Sequence, residues 1–267
     1  MYEYLYQPLT EEQVAGYFER IHMPYDKARK PSKAYLNEIV RAQLRTIPFD
    51  DADVWANGVT PSLEPDDLYN KIIAGKRGGY CFELNSLLCH FLRGVGFDCY
   101  IVIIHLYRPG FPFRAPAHCG VVSLVDGEKL FSDVGYGGPV PDGCVAMDGN
   151  VENNHYMRMN GIYTVVGHDS PNGFVPRFTF KDMPAHKVEL EPLNFHVSQR
   201  PGSVFAGDLK MNIRLDNGFG EIGMGMFKYK NGDEVIERKI ESEEDAKQLA
   251  AKYFGLNEGS LPTRALE

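Results

Sequence analysis

Arg77-Gly78-Gly79-Tyr80-Cys81-Phe82-Glu83-Leu84-Asn85 is the stretch on which the reading of this chain turns. Two glycines allow a sharp backbone bend. The residues that follow carry Leu84, Leu87, Leu88, Phe91 and Leu92 at helical spacing, until Gly94-Val95-Gly96 stops them. Cys81 then falls in the first turn of a helix. Open N–H groups and the dipole at a helix start favour negative charge, and the thiolate is the nucleophilic form of cysteine. The same position also suits an ordinary buried thiol, which packs as a small apolar side chain.

Upstream, the sequence reads as helical. Thr10-Glu11-Glu12-Gln13 has the capping-box form, and Val14, Tyr17, Phe18 and Ile21 share one face. A second helix is expected from Ser32, with Tyr35, Leu36, Ile39, Val40 and Leu44 apolar, ending before Pro48. Downstream, Cys99 to Tyr107 reads as a strand. His118–Val125 and Glu128–Val134 read as a hairpin, because Asp126-Gly127 supplies the positive φ angles of a tight turn. Further strands are expected at 161–166, 174–180, 186–190, 209–215 and 222–228. A last helix opens at Ser242 and is faced by Ala246, Leu249, Ala250 and Tyr253. Helices first, strands next and a mixture last make an α+β pattern rather than alternating βαβ units.

The hairpin places two more polar groups. If Val125 faces Glu128, Asp133 lies opposite Gly120, and His118 lies two residues away on the same face. Diagonal neighbours in a sheet are about 7–8 Å apart, within reach of an imidazole and a carboxylate leaning together. Gly120 is expected to leave the space between them open. A His held by an Asp is an oriented base. Taken singly, His118 suits a structural histidine and Asp133 a carboxylate at a strand edge. His105, also in a strand, is the nearest rival base; His90 follows Cys89 within the Cys81 helix, where it is expected to face solvent or pack, and His22, His155, His168, His186 and His196 lack a comparably placed acid.

Composition narrows the field. The 267 residues are 43% hydrophobic and 24% charged, with a net charge of −8, which disfavours nucleic acid as a partner. No stretch approaches the roughly 20 apolar residues of a membrane helix. The N-terminal residues do not read as a signal peptide. Five scattered cysteines without a C-x-x-C pair fit neither a disulfide framework nor a zinc site, so free thiols in a cytoplasmic protein are expected, with no metal. Neither a Walker-type loop nor a G-x-G-x-x-G motif occurs.

Arg77 to Asn85 resembles the R-G-G-x-C-x-E-x-N signature of arylamine N-acetyltransferases. Ile47-Pro48-Phe49 is similar to the family's I-P-F-E-N segment, and Asp133-Val134-Gly135-Tyr136-Gly137 to its D-V-G-F-G. Asn194-Phe195 to Ser198, with Pro201, Ser203 and Phe205, is similar to its N-F-x-x-S-T-x-P-x-S-x-F stretch. The resemblance runs from about residue 10 to the end of the chain. It implies a helical bundle over 1–96 carrying the nucleophile, a β-barrel over 97–200 carrying His and Asp, and an α/β lid over 201–267, in a papain-like Cys-His-Asp arrangement. It further implies Cys81 as acyl acceptor, His118 as base and Asp133 as orienting acid. Acetyl-CoA would be the acyl donor and an arylamine or arylhydrazine the acceptor, in a ping-pong reaction through an acetyl-cysteine.

Gly135, Gly137 and Gly138 are expected coenzyme contacts, since a loop rich in Gly and Pro can turn N–H groups toward phosphates, with a plain barrel connection as the competing reading; the resemblance adds Ser198 to the expected coenzyme contacts. Phe49, Phe111, Phe113, Tyr136 and Phe205 are the candidates for an aromatic pocket wall. The chain departs from the family pattern at Asp50-Asp51 in place of Glu-Asn, at Tyr136 in place of Phe and at Gln199 in place of Thr. An Asp50–Arg77 contact would have one methylene less to span. A hydrolase or transglutaminase-like enzyme, an amide synthase and a non-catalytic binding protein are the other readings open to these residues.

Overall fold

A computed structural model describes residues 5–107, 116–138 and 140–264. The N-terminal third packs α1 (Glu11–Arg20), α2 (Lys33–Thr46), α3 (Ala52–Asn57), α4 (Pro65–Leu68) and α5 (Cys81–Val95). Thr10 and Gln13 close the expected capping box on α1, and Ser32 caps α2 through the Tyr35 N–H. A short strand, β1 (Phe49–Asp50), follows α2, and a π-helical turn over Tyr69–Ala74 continues α4. Every residue from Cys81 to Leu92 is buried, so α5 is the central post of the bundle.

The middle of the chain forms a seven-stranded antiparallel sheet in the order β5-β4-β3-β2-β8-β7-β6. Its strands are β2 (Asp98–Leu106), β3 (His118–Val125), β4 (Glu128–Ser132), β5 (Val145–Ala146), β6 (Tyr156–Asn160), β7 (Tyr163–Ser170) and β8 (Gly173–Phe180). The edge strands β5 and β6 touch, so the sheet curls into a nearly closed barrel. The β3–β4 hairpin has the expected register, Val125 facing Glu128, with Asp126 and Gly127 both at positive φ. One apolar core runs from the helices into the barrel, because α5 packs its face on β2 and β3.

After the barrel come α6 (Lys187–Gln199) and α7 (Val204–Gly207). A second antiparallel sheet then forms from β9 (Met211–Leu215), β10 (Gly218–Gly223), β11 (Met226–Asn231) and β12 (Glu234–Lys239), with α8 (Glu243–Phe254) against it. A separate core of Met211, Ile213, Ile222, Phe227, Leu249, Ala250 and Phe254 holds this unit together. The strand β1 belongs to it, since Phe49 pairs with Asn212 and Asp50 with Met211.

Three expectations need correcting. Residues 186–190 open α6 rather than form a strand, because His186 accepts from the Val188 N–H and Glu189 reaches back to the His186 N–H. The expected strand at 222–228 is split by a turn at Met224-Gly225, both at positive φ, into β10 and β11. The space beside Gly120 is not open: a Cβ there would lie 2.6 Å from the Phe131 ring.

Candidate active site

Cys81 is the first residue of α5, and the turn before it is fastened from several sides. The Arg77 guanidinium bonds Asp50 at 3.0 Å and donates to the Ser260 carbonyl at 2.8 Å. The shorter Asp50 side chain therefore does span the gap to Arg77. Neither Gly78 nor Gly79 has positive φ; Gly78 is required by close approach, since a Cβ there would lie 2.4 Å from the Pro48 carbonyl oxygen. Glu83 satisfies the Tyr80 N–H at 3.1 Å and bonds Lys71 at 2.7 Å, fixing the first turn. Its carboxylate is buried, and burial pushes its proton affinity up against the pull of Lys71.

His118 opens β3 and Asp133 immediately follows β4, as the hairpin register requires. His118 Nε2 and Asp133 Oδ2 are 2.6 Å apart, and both side chains are buried. The remaining ring nitrogen, Nδ1, is left for Cys81, whose sulfur is near enough to favour the charged imidazole. Cys81 Sγ also lies 3.8 Å from the Ala117 carbonyl oxygen. Burial works against a charged imidazole here. The Asp133 carboxylate and the Cys81 sulfur outweigh it and raise the His118 pKa from 6.5 to about 10.

A residue quoted in the sequence motif, but given no role there, completes the arrangement. Asn85 stands one helical turn after Cys81 on the same face of α5. Its Nδ2 donates to Asp133 Oδ1 at 3.0 Å and to the Cys119 carbonyl at 2.9 Å, while its Oδ1 accepts from the Val134 N–H at 3.1 Å. Gly135 N–H also donates to Asp133 Oδ1 at 2.9 Å. A Cβ on Gly135 would lie 2.8 Å from Cys81 Cα, so only glycine lets this loop lie against the helix start. The spacing of Cys81 and Asn85 was the available signal; its target across the hairpin was not visible.

Beside the triad lies a cavity of about 550 Å³, lined among others by Phe49, Val134, Tyr136, Gly137, Asn212 and Phe219. Tyr136 joins the two places: its ring meets His118 edge-on at 5.6 Å and also walls the cavity. Gly137 and Gly138 line it too. Gly135 instead packs on α5, and Phe205 stands behind the wall with its ring 6.1 Å from that of Phe49. Ser198 is buried away from the cavity. Its hydroxyl is committed to Thr60 at 2.8 Å and to the Asn194 carbonyl at 2.9 Å, so it anchors α6 rather than facing a ligand. Gln199 likewise ties the end of α6 to the Gly58 carbonyl at 2.6 Å. Phe111 and Phe113 lie outside the described residues.

Among the described residues, all five cysteines are free, no cluster of three metal-ligating side chains occurs, and no helix is long and apolar enough to cross a membrane. A rival role for His90 is disfavoured by its 2.5 Å contact with the Gln7 carbonyl, which binds Nδ1 to the N-terminal segment.

Comparison with known proteins places this geometry in a family. The N-acetyltransferase family model matches residues 34–260. The arylamine N-acetyltransferase of Mycolicibacterium smegmatis is 26% identical over 268 residues, covering 95% of each chain. The fold is that of the arylamine N-acetyltransferase from Salmonella typhimurium, with a TM-score of 0.84 at 21% identity over 95% of this chain and 97% of that one. The Mycobacterium marinum enzyme, solved in complex with CoA, superposes with a TM-score of 0.81 at 20% identity, covering 93% and 96% of the two chains.

Proposed function

Because the chain belongs to the arylamine N-acetyltransferase family and is an N-acetyltransferase enzyme, we propose that it works by a ping-pong transfer from acetyl-CoA to an arylamine or arylhydrazine nitrogen, through an acetyl group carried on Cys81. The observation that supports this reading is the line Cys81–His118–Asp133, with the sulfur at a helix start and the imidazole bonded to Asp133 and held charged by that carboxylate and the nearby sulfur. The CoA complex of the M. marinum relative supports the choice of donor.

In the first half-reaction the Cys81 thiolate attacks the thioester carbonyl, and the oxyanion is met by N–H groups that the first turn of α5 leaves open. The tetrahedral adduct collapses with cleavage of the carbon–sulfur bond to CoA. The departing thiolate takes the proton held on His118. In the second half-reaction the amine attacks the acetyl-cysteine carbonyl. Neutral His118 accepts a proton from the nitrogen, and the amide leaves as the Cys81 thiolate re-forms beside an imidazolium. Asp133 keeps its charge throughout and holds the imidazole with Nδ1 toward sulfur. Phe49, Tyr136, Gly137 and Gly138 form the wall against which an aromatic acceptor and the donor's arm would lie.

Incubation with acetyl-CoA alone is the test. Intact-protein mass spectrometry should show one acetyl adduct, mapped to Cys81, that an aniline or a hydrazine discharges. Double-reciprocal plots should be parallel. Consumption of acetyl-CoA at the same rate with and without amine would make the enzyme a thioester hydrolase instead. Absence of any adduct would remove acetyl-CoA as the donor.

A further inference from the structure

Where β6, β7 and β8 lie side by side, three groups able to carry positive charge converge on a second cavity, of about 420 Å³, whose lining includes none of the triad. His155 precedes β6, His168 lies in β7 and Arg177 lies in β8. The register of β7 on β8 shifts between Val166 and Gly167: Val166 faces Phe178 while Gly167 faces Pro176, leaving Arg177 as the extra residue of a β-bulge. Such a bulge re-aims one side chain, here into the space beside His168. Gly167 accommodates the kink, since a Cβ there would lie 2.3 Å from the Val175 carbonyl oxygen.

The polar atoms at this place are unfinished. Arg177 Nε and His168 Nδ1 are buried, yet neither has a hydrogen-bond partner among the described residues. Buried polar atoms are otherwise almost always paired, so two in one cavity point to a ligand. The His155 and His168 rings meet edge-on with centroids 5.4 Å apart. His155 is 8% exposed, and its Nδ1 lies 3.0 Å from the Asn153 carbonyl oxygen, leaving Nε2 uncommitted.

We propose that this cluster is a binding site for a phosphomonoester dianion, held by Arg177 together with His155 and His168. The guanidinium supplies a permanent charge and a planar fork matched to phosphate oxygens. The two imidazoles supply N–H donors once protonated. A metal cation is disfavoured by Arg177. Of the other charged groups nearby, Asp169 also borders the cavity but is bonded to the Tyr156 hydroxyl at 2.6 Å, which in turn accepts from Arg158 at 2.5 Å. Arg214, which lines the cavity beside the triad, is near enough to act on His155. Burial, then His168, Arg177 and Arg214, hold the His155 pKa below its ordinary value, and a bound dianion reverses the effect of those charges.

The experiment titrates the intact protein with inorganic phosphate and follows the imidazole signals of His155 and His168 by NMR. Both should move saturably toward the protonated form, while chloride at equal ionic strength leaves them in place. Arg177→Gln and His168→Gln should each weaken phosphate binding roughly tenfold, the loss of one charge-assisted hydrogen bond. The source of the phosphate is read separately. Tighter binding of adenosine 3′,5′-bisphosphate, with a raised KM for acetyl-CoA and unchanged kcat in Arg177→Gln, assigns the site to the coenzyme's own 3′-phosphate. Equal binding of both probes with KM unmoved assigns it to free phosphate. If neither probe shifts the two histidines of the unaltered protein, the proposal is overturned, whatever the variants do.

Discussion

Asp133 does two jobs with its two oxygens, and this makes it the most informative single residue to change. Oδ2 binds His118, while Oδ1 accepts from Asn85 and from the Gly135 N–H. In Asp133→Asn the amide oxygen can keep the second set of bonds. The NH2 group then faces His118 Nε2 and forces the proton onto Nδ1, the nitrogen turned to sulfur. The variant should fold, and its rate of Cys81 acetylation should fall by about 10⁴-fold, as in comparable triads; near-full turnover with a native circular dichroism spectrum would deny Asp133 its role. The same substitution should alter the pH dependence of stability. With the His118 pKa raised from 6.5 to about 10, its ion pair stabilises fully below pH 6.5, and that contribution is lost as pH rises through about 10. Urea titrations of the variant should lack this decline. Alkylation should discriminate as sharply: Cys89 and Cys119 are buried with thiols pushed well up, and Cys144 is pushed up to about 12, chiefly by burial. Brief iodoacetamide treatment near pH 7 followed by peptide mapping should label Cys81 alone. His118 and Asp133 were legible in the sequence because a two-residue turn fixes register over a whole hairpin. Asn85 was not, because its partners lie 34 and more residues away, on the other side of a packing interface.

At the level of segments, legibility followed the strength of local signals. The helices α1, α2 and α8 announced themselves through side-chain caps and an unbroken apolar face. The start of α6 did not, since its apolar residues are sparse, Pro192 interrupts it, and a histidine serves as its cap. The turn at Met224-Gly225 was hidden because a methionine, and not Asn or Asp, takes the first positive-φ position. The two-residue strand β1 shows what composition cannot convey. It leads into two adjacent buried acids, of which Asp50 answers Arg77 while Asp51 accepts the Lys210 N–H at 2.8 Å through Oδ1. Asp51 Oδ2 is buried without a partner among the described residues. Burial first, with Asp50 and Asp208 adding to it, raises the Asp51 pKa to about 8 against the backbone bond and charge of Lys210. A carboxyl held above its unfolded value binds its proton more tightly in the native state. Folding is therefore favoured at low pH and loses stability as pH rises from about 4 to about 8. Asp51→Asn keeps the Oδ1 bond and removes the ionisation. It should match the parent near pH 4 and exceed it by at least about 1 kcal/mol at pH 8, a tenfold change in proton affinity being worth about 1.4 kcal/mol. Parallel urea curves for the two proteins at both pH values would show that Asp51 carries no such burden.

The three parts of the molecule meet at one carboxylate, and no pattern along the chain could have shown it. Asp142, in the connection after β4, accepts from Arg45 of α2 at 2.8 and 3.1 Å and from Arg214 of β9 at 3.1 Å. Its own carbonyl takes Arg41 at 2.9 Å, and Arg214 also binds the Val140 carbonyl at 2.6 Å. Bundle, barrel connection and C-terminal sheet are thus pinned together at the edge of the cavity beside the triad, whose wall includes Val140 and Arg214. The hydrogen bonds from Arg45 hold the Asp142 carboxyl below its ordinary value of 3.8, although burial opposes this. Its contribution is present above that value and lost as pH falls through the lowered one. Because the side chain is 38% exposed, water screens the pair, and Asp142→Asn should cost only about 1 kcal/mol in urea at neutral pH. The larger consequence should be functional. Arg45 keeps Asp216 as a partner at 2.7 Å, so the bundle stays folded, but the cavity wall around Val140 is held less firmly to β9. The KM for acetyl-CoA should rise several-fold while the rate of discharge of a preformed acetyl-enzyme by aniline stays close to that of the parent. High salt should raise the parent's KM toward the variant's, since it weakens the same pairs. An Asp142→Asn enzyme with unaltered KM at low and high salt would mean that the cavity wall is held by its backbone alone.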